Sequence, residues 1–387
     1  MSPFSSNAVL DSAEAWTGYL REAGLSDVMD VHVVSGGRHR LARAHFPGGR
    51  GLLCKQGLQR SRTGDGALLQ EGLTYLLCAQ SGVAEARRIM PRCVFHDRHS
   101  DVLGLELVEG PTLRDQLAVQ ADGLAGVMSR IAHALASVHY GTHEKLPGYQ
   151  HVYGPFGELM PDASPLSRDE YAALSPGELT VMAVIQSDPD IARTLRGLRQ
   201  VSAHSLIHGD LRCDNILLVA EEGMPAFAPL LIDWELARPG DPAMDLGTLY
   251  GSLLEAELLR LREELVAQSA VADPAAGSLL MSAARTIAPL LGGLLAAYEN
   301  AVGAWTGRGG PGVTPRMPGR ARVIAHAGAH LMHRAAAFAQ VGTGLGSQGR
   351  TLLVVARAML RAPHGALSLA LPIPAGLSAR GTARRSG

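Results

Sequence analysis

Residues 208–235 read HGDLRCDNILLVAEEGMPAFAPLLIDWE, and this stretch constrains what the rest of the chain has to be. Asp210 and Asn215 stand five residues apart, and Asp233 follows eighteen residues later, after an apolar run with strand character. The pattern is a layout for phosphoryl transfer. Asp210 would orient a hydroxyl and accept its proton, while Asn215 and Asp233 would hold the magnesium ions that bridge the phosphates of a nucleotide.

Working outward, 387 residues of which 47% are apolar can bury a sizeable core, and the length fits two lobes. Cys54, Cys78, Cys93 and Cys213 are scattered with no CxxC spacing, so neither a disulfide framework nor a zinc site is expected, and a reducing cytoplasm fits. The N-terminus, MSPFSSNAVLDSAEAW, lacks a basic segment followed by an apolar one. Apolar windows such as Ile287–Tyr298 are too short to span a bilayer, so the expectation is a soluble chain with no membrane partner.

The net charge of −1 conceals an asymmetry: residues 300–387 hold eleven arginines and no acid, leaving 24 basic against 36 acidic residues before them. Such an end either binds a nucleic acid, an acidic peptide or a phosphate, or packs on the acidic body. With 4% aromatic residues the chain is poor in stacking platforms, so nucleic acid is not expected. Lysine occurs only at 55 and 145, which makes Lys55, at the end of the strand-like GLLCK, conspicuous.

The periodicity predicts a helix over 12–22 with Trp16, Tyr19 and Leu20 on one side, then strands over 31–34, 41–46 and 51–55 separated by SGGRH and PGGR. A helix over 65–78 places Glu71 sixteen residues after Lys55, within reach of an ion pair. Strands follow over 93–96 and 102–108, the second running into a hinge at Gly110 and Pro111, with Thr112 as a helix cap. Further helices are expected over 123–140, 244–267 and 278–302, and in two stretches after a loop at 307–320. Residues 143–188 read as an insertion and 371–387 as a disordered tail.

HGDLRCDN, LIDWE and GDPAMDLG resemble the signature blocks of the aminoglycoside phosphotransferase and choline kinase group, relatives of the protein kinases. The resemblance implies an α+β, bilobal fold: an N-lobe over 1–108 with a small antiparallel sheet, and a mainly helical C-lobe over 109–370. It implies ATP and magnesium as cofactors, Asp210 as the catalytic aspartate, Asn215 and Asp233 as metal ligands, and His208 and Asp245 as structural. Lys55 would neutralise phosphates with Glu71 as its anchor, and the base would bond backbone near Glu106 to Val108. Gly36 and Gly37 would let backbone approach phosphate, although Arg38, His39 and Arg40 depart from the small polar residues usual after those glycines. Glu235 would reach metal or acceptor.

The motifs say little about the acceptor. An arginine-rich end without acids is a poor place to hold a polycation, so a neutral or acidic acceptor is expected. Ser or Thr of a ribosomal precursor peptide fits, as in kinases of the class V lanthipeptide and thioamitide type, with a partner lyase. A small hydroxylated metabolite or antibiotic is the alternative, with Asp162, Asp169, Glu170 and Glu178 as cation-binding groups. A pseudokinase scaffold is the alternative of another class.

Overall fold

Ser12 accepts a hydrogen bond from the backbone N–H of Ala15 and so caps helix α1, Ala13–Glu22, whose Trp16, Tyr19 and Leu20 are buried. The helix ends at Gly24, where φ is +89°. This is a computed structural model, which describes residues 9–34, 39–57, 68–80, 87–119, 123–142, 146–153, 161–200, 205–220, 227–268, 276–306, 318–340 and 344–370. Gly36, Gly37, Arg38 and the tail 371–387 lie outside the described residues.

Five strands follow the expected positions closely: β1 Asp30–Val34, β2 His39–His45, β3 Gly51–Gly57, β4 Cys93–Asp97 and β5 Val102–Glu106. They form an antiparallel sheet in the order β1-β2-β3-β5-β4, with Leu41 and Leu103 opposite Lys55 on either side. Alternation sorts its two faces. Ala42, Ala44, Leu52 and Cys54 pack with Trp16, Tyr19 and Leu20 in a small separate core, while Leu41, Leu53, Lys55 and Leu105 face a cleft. Helix α2, Leu69–Gln80, lies beside β4 and buries Glu71.

The larger part is helical. A capping box between Thr112 and Asp115 starts α3, Leu113–Ala118. After α4, Leu124–Gly141, two more capping boxes start α5, Arg168–Ala173, and α6, Pro176–Ser187, followed by α7, Pro189–Arg199. Four short strands come next in two antiparallel pairs: β6 Ser205–Ile207 with β9 Arg238–Gly240, and β7 Ile216–Val219 with β8 Ala228–Leu231. Five helices complete the part: α8 Pro242–Gln268, α9 Ala276–Thr306, α10 Arg320–Ala339, α11 Ser347–Arg361 and α12 Pro363–Ala370.

One expectation is revised, and one open alternative is met among the described residues. Helix α9 runs for 31 residues, far beyond the window 287–298, and by length and composition it could cross a bilayer. Leu279, Ala283, Ile287, Leu291, Leu294 and Tyr298 are instead buried in the main core, where α9 packs on α4 and α8. Described arginines of the C-terminal end pair with acids of the body: Arg320 with Glu299 at 2.9 Å, Arg322 with Asp241, Arg334 with Glu255 at 2.9 Å and Arg361 with Asp188 at 3.1 Å.

Candidate active site

The β7–β8 hairpin explains how donors eighteen residues apart meet. Ile216 pairs with Leu231, so the residues flanking the hairpin, Asn215 and Ile232, fall side by side, and the Ile232 N–H donates to the Asn215 carbonyl at 3.0 Å. Asp233 comes next, in the left-handed region at φ +65°, a conformation that costs a non-glycine residue and concentrates at functional sites. On the other flank the Asn215 amide donates to the Asp210 carbonyl at 2.8 Å and lies 3.4 Å from its carboxylate.

Lys55 reaches this group from the sheet. Its Nζ donates to Glu71 Oε1 at 2.9 Å, Glu71 Oε2 at 3.1 Å and Asp233 Oδ1 at 2.8 Å. Burial opposes the charge on Lys55, but the two carboxylates overcome it and hold the ammonium above the ordinary lysine range. Burial also opposes the charge on Asp233, and Lys55 beside it keeps that carboxyl below the usual range. For Glu71, fully buried, burial drives the carboxyl upward while Lys55 pulls it down. Both its oxygens accept from Lys55, so we read a charged pair.

Behind these groups Asp245 braces the loop. Its carboxylate accepts from the backbone N–H of His208 at 2.7 Å and of Gly209 at 3.0 Å, where φ of +83° requires glycine. Asp245 also meets His139 Nε2 at 3.0 Å, and His139 Nδ1 meets the Tyr298 hydroxyl at 2.7 Å. Burial opposes its charge, but these donors keep the carboxyl below the usual range. The His208 ring lies 4.5 Å from that of Trp234, and its Nε2 meets the Ile232 carbonyl at 2.9 Å, tying the two loops together. Asp214 turns away to Arg114.

All four groups, Lys55, Asp210, Asn215 and Asp233, line one cleft of about 1230 Å³, more than a single small ligand needs. Glu106 and Val108 line its far end beside Leu53, Leu105, Leu217 and Ile232. The strand stops at Glu106, two residues short of expectation; the N–H groups of Glu106 and Leu107 are taken by the carbonyls of Arg92 and Gly51.

Sequence reasoning missed two ties between the parts. His39 Nε2 meets Glu235 Oε2 at 2.8 Å, so both side chains span the cleft. The Gln70 amide donates to the carbonyls of Glu235 and Ala237, at 3.0 and 2.6 Å, fastening α2 to the loop after Asp233. A third omission is the opposite wall, where α10 contributes His326, His330, His333 and Arg334. Their spacing of four and three residues was a readable signal of one helical face.

On that wall His330 Nε2 and Arg334 Nε meet the two oxygens of buried Glu255 at 3.3 and 2.9 Å. Arg212 Nε donates to both Asp210 oxygens at 3.0 Å. Burial, then His330 and Arg334, holds His333 below the ordinary histidine range. His326 is 1% exposed, and both its ring nitrogens are buried without a partner. Burial lowers it from 6.5 to about 4, so the ring is neutral near pH 7. A buried polar atom left unpaired costs about 1–3 kcal/mol.

The carboxylates expected to bind cations do not line the cleft. Glu170 and Glu178 are spent on the caps of α5 and α6, Asp162 pairs with Arg199 at 3.0 Å, and Asp169 sits exposed in the first turn of α5. Helix starts consume acids because their N–H groups need acceptors.

No protein of curated function matches the chain. Among solved structures it is similar to a choline/ethanolamine kinase family protein from Mesorhizobium loti, at 15% identity over 90% of this chain and 94% of that one, with a TM-score of 0.45. A choline kinase from Cryptosporidium parvum shows 12% identity over 89% and 94%, with a TM-score of 0.48. A macrolide 2'-phosphotransferase from Brachybacterium faecium shows 16% over 90% and 97%, with a TM-score of 0.39. The model of the phosphotransferase enzyme family (APH) matches residues 70–280, more than half of the chain, including Glu71, Asp210, Asn215, Asp233 and Asp245 but not His39, Lys55 or the α10 wall, and the chain therefore belongs to that family.

Proposed function

We propose that the chain transfers the γ-phosphate of ATP, with magnesium, to a hydroxyl of an acceptor. The observation that carries the reading is the convergence of Lys55, Asp210, Asn215 and Asp233 on one cleft. The donor set fits magnesium. Among the described residues no cluster of three His, Cys, Asp or Glu could hold a metal. One carboxylate and one amide are what an ion needs when phosphates and water complete its shell. Asn215 Nδ2 is tied to Asp210, so Oδ1 would be the atom to hold the ion, together with Asp233, whose Oδ1 accepts from Lys55. When bound, the metal neutralises phosphate charge.

The chain's own residues then divide the work. Leu53, Leu105, Leu217 and Ile232, which line the cleft, would enclose the base, with backbone near Glu106 and Val108 available to its edge. Lys55, fixed by Glu71, places a positive charge on the phosphates. Asp210 accepts the proton of the acceptor hydroxyl while that oxygen bonds to the γ-phosphorus, the bond to the β-phosphate oxygen breaks, and ADP leaves. Arg212 must release Asp210 or move with it for that proton to be taken.

A small hydroxylated molecule suits an acceptor floor made by one helix. Ser or Thr of a precursor peptide, phosphorylated ahead of a partner lyase, is the second reading. It is favoured by the lack of free carboxylates among the described residues at that end, which an acidic peptide would tolerate. A pseudokinase scaffold is disfavoured because none of the four groups is missing. Magnesium-dependent ADP release that vanishes in Asp210→Ala supports the proposal. Turnover that survives the substitution refutes it.

A further inference from the structure

Among the described residues, the loop that carries Asp233 is gripped from the N-terminal part at three points. Lys55 Nζ donates to Asp233 Oδ1 at 2.8 Å, His39 Nε2 meets Glu235 Oε2 at 2.8 Å, and the Gln70 amide takes two backbone carbonyls. The third grip differs in kind. It fixes main chain, where the other two hold side chains.

The need for that grip starts in the backbone. Residues Trp234–Leu236 form a single helical turn, entered from Asp233 in the left-handed region and closed by a hydrogen bond from the Ala237 N–H to the Trp234 carbonyl. So short a turn cannot satisfy its own last carbonyls, and a side chain from elsewhere can. Gln70 Nε2 does so, reaching the Glu235 carbonyl at 3.0 Å and the Ala237 carbonyl at 2.6 Å. Two acceptors facing one amide settle which of its ends is the nitrogen. A left-handed non-glycine residue persists only where its surroundings over-determine it, and Asp233 gains that support from the clamped turn beside it.

The residue next to Gln70 is Glu71, which fixes Lys55, so adjacent positions in the first turn of α2 set both the lysine and the aspartate loop. That turn is itself anchored. The Thr74 hydroxyl donates to the Gln70 carbonyl at 2.9 Å and meets the Tyr153 hydroxyl at 3.2 Å, which ties α2 to the helical part a second time.

We propose that Gln70 is a positioning residue for the metal and phosphates: by holding the carbonyls of Glu235 and Ala237 it keeps Asp233 at the spacing from Lys55 that a magnesium–triphosphate complex needs. This rests on the phosphotransfer reading above. Magnesium demands near-ideal octahedral geometry, so a displaced Asp233 weakens the metal complex more than it weakens a metal-free nucleotide.

The test needs no acceptor. Calorimetric titration of the full chain with AMP-PNP gives one Kd in magnesium and another in EDTA, and their ratio measures what the metal adds. The unaltered chain should bind AMP-PNP about tenfold or more tightly with magnesium. Gln70→Met, which keeps the length of the side chain and loses its donors, should cut that ratio about fivefold or more. Gln70→Lys, whose ammonium can donate to both carbonyls, should bring it back to within about twofold of the unaltered chain. A merely structural role would weaken binding alike in both conditions and leave the ratio where it was. Near-UV circular dichroism confirms that each variant is folded, and Gln70→Ala is read in place of Gln70→Met if the latter is not.

An unchanged ratio in Gln70→Met overturns the proposal. So does a ratio as low in Gln70→Lys as in Gln70→Met. Failure of both Gln70→Met and Gln70→Ala to fold also overturns it, because the contact then serves folding. An unaltered chain that binds AMP-PNP equally well with and without magnesium instead refutes the metal-dependent phosphotransfer reading itself.

Discussion

The two ends of the cleft are built on opposite terms. At the proposed phosphate end, polar groups from distant parts of the chain are paired before any ligand arrives: Lys55 meets Glu71 and Asp233, His39 meets Glu235, and Asp245 holds the loop before Asp210. At the other end a single helix, α10, supplies a polar face on which His326 stays unmatched. Preorganised charge suits a ligand with a constant outline, such as a triphosphate and its metal.

The comparison breaks most sharply at Asp210. Asp210→Ala is expected to lower acceptor phosphorylation by about 10²–10⁴-fold, the usual worth of a positioned general base, as read by ADP release. Next comes the buried pair. Lys55→Met strands Glu71, whose side chain is fully buried, and should cost about 3–5 kcal/mol in urea unfolding. Adding Glu71→Gln to the same chain should regain most of that stability without regaining activity. If the double variant is as unstable as the single one, the phosphate end is not held by charge matching.

At the acceptor end the expected effects are smaller. His326 has its folded-state value depressed from 6.5 to about 4, so below pH 6.5 the unfolded chain takes up a proton that the folded chain refuses. Stability is therefore retained above pH 6.5 and lost as pH falls toward 4, by up to about 3 kcal/mol. His326→Gln should flatten that slope between pH 7 and 4.5, and an unaltered slope counts against a buried neutral ring.

Gly247 is the smallest lever. A Cβ there would stand 2.4 Å from His326 Cβ and 2.6 Å from the Val323 carbonyl, so glycine lets α8 and α10 close on each other. Gly247→Ala should cost about 1–3 kcal/mol by overpacking. It should raise the acceptor KM more than the nucleotide KM, and an equal rise in both would erase the distinction between the ends.

Much of this was legible along the chain because it is local. Asp210, Asn215 and Asp233 sit in one stretch around an apolar hairpin, and Lys55 stands out in a chain almost without lysine. The sheet strands fall within two residues of expectation because alternation and turn glycines are short-range signals. Glu71 was placed by helical spacing alone. Glu235, expected to reach metal or acceptor, does line the cleft and also meets His39, 196 residues away, a contact no spacing rule could show. The acids at 162–178 looked like cation ligands until the helix starts nearby claimed two of them.

What the chain order determined by itself is the inventory: which side chains can donate, accept or hold a cation, and which segments form strands or helices. The state of each group was decided only by tertiary packing. Lys55 and His326 are both nearly excluded from water, yet the first is held charged and the second neutral. The cause is physical: burial penalises charge in every case, and only a partner brought from elsewhere in the fold, as Glu71 and Asp233 are for Lys55, can overcome it.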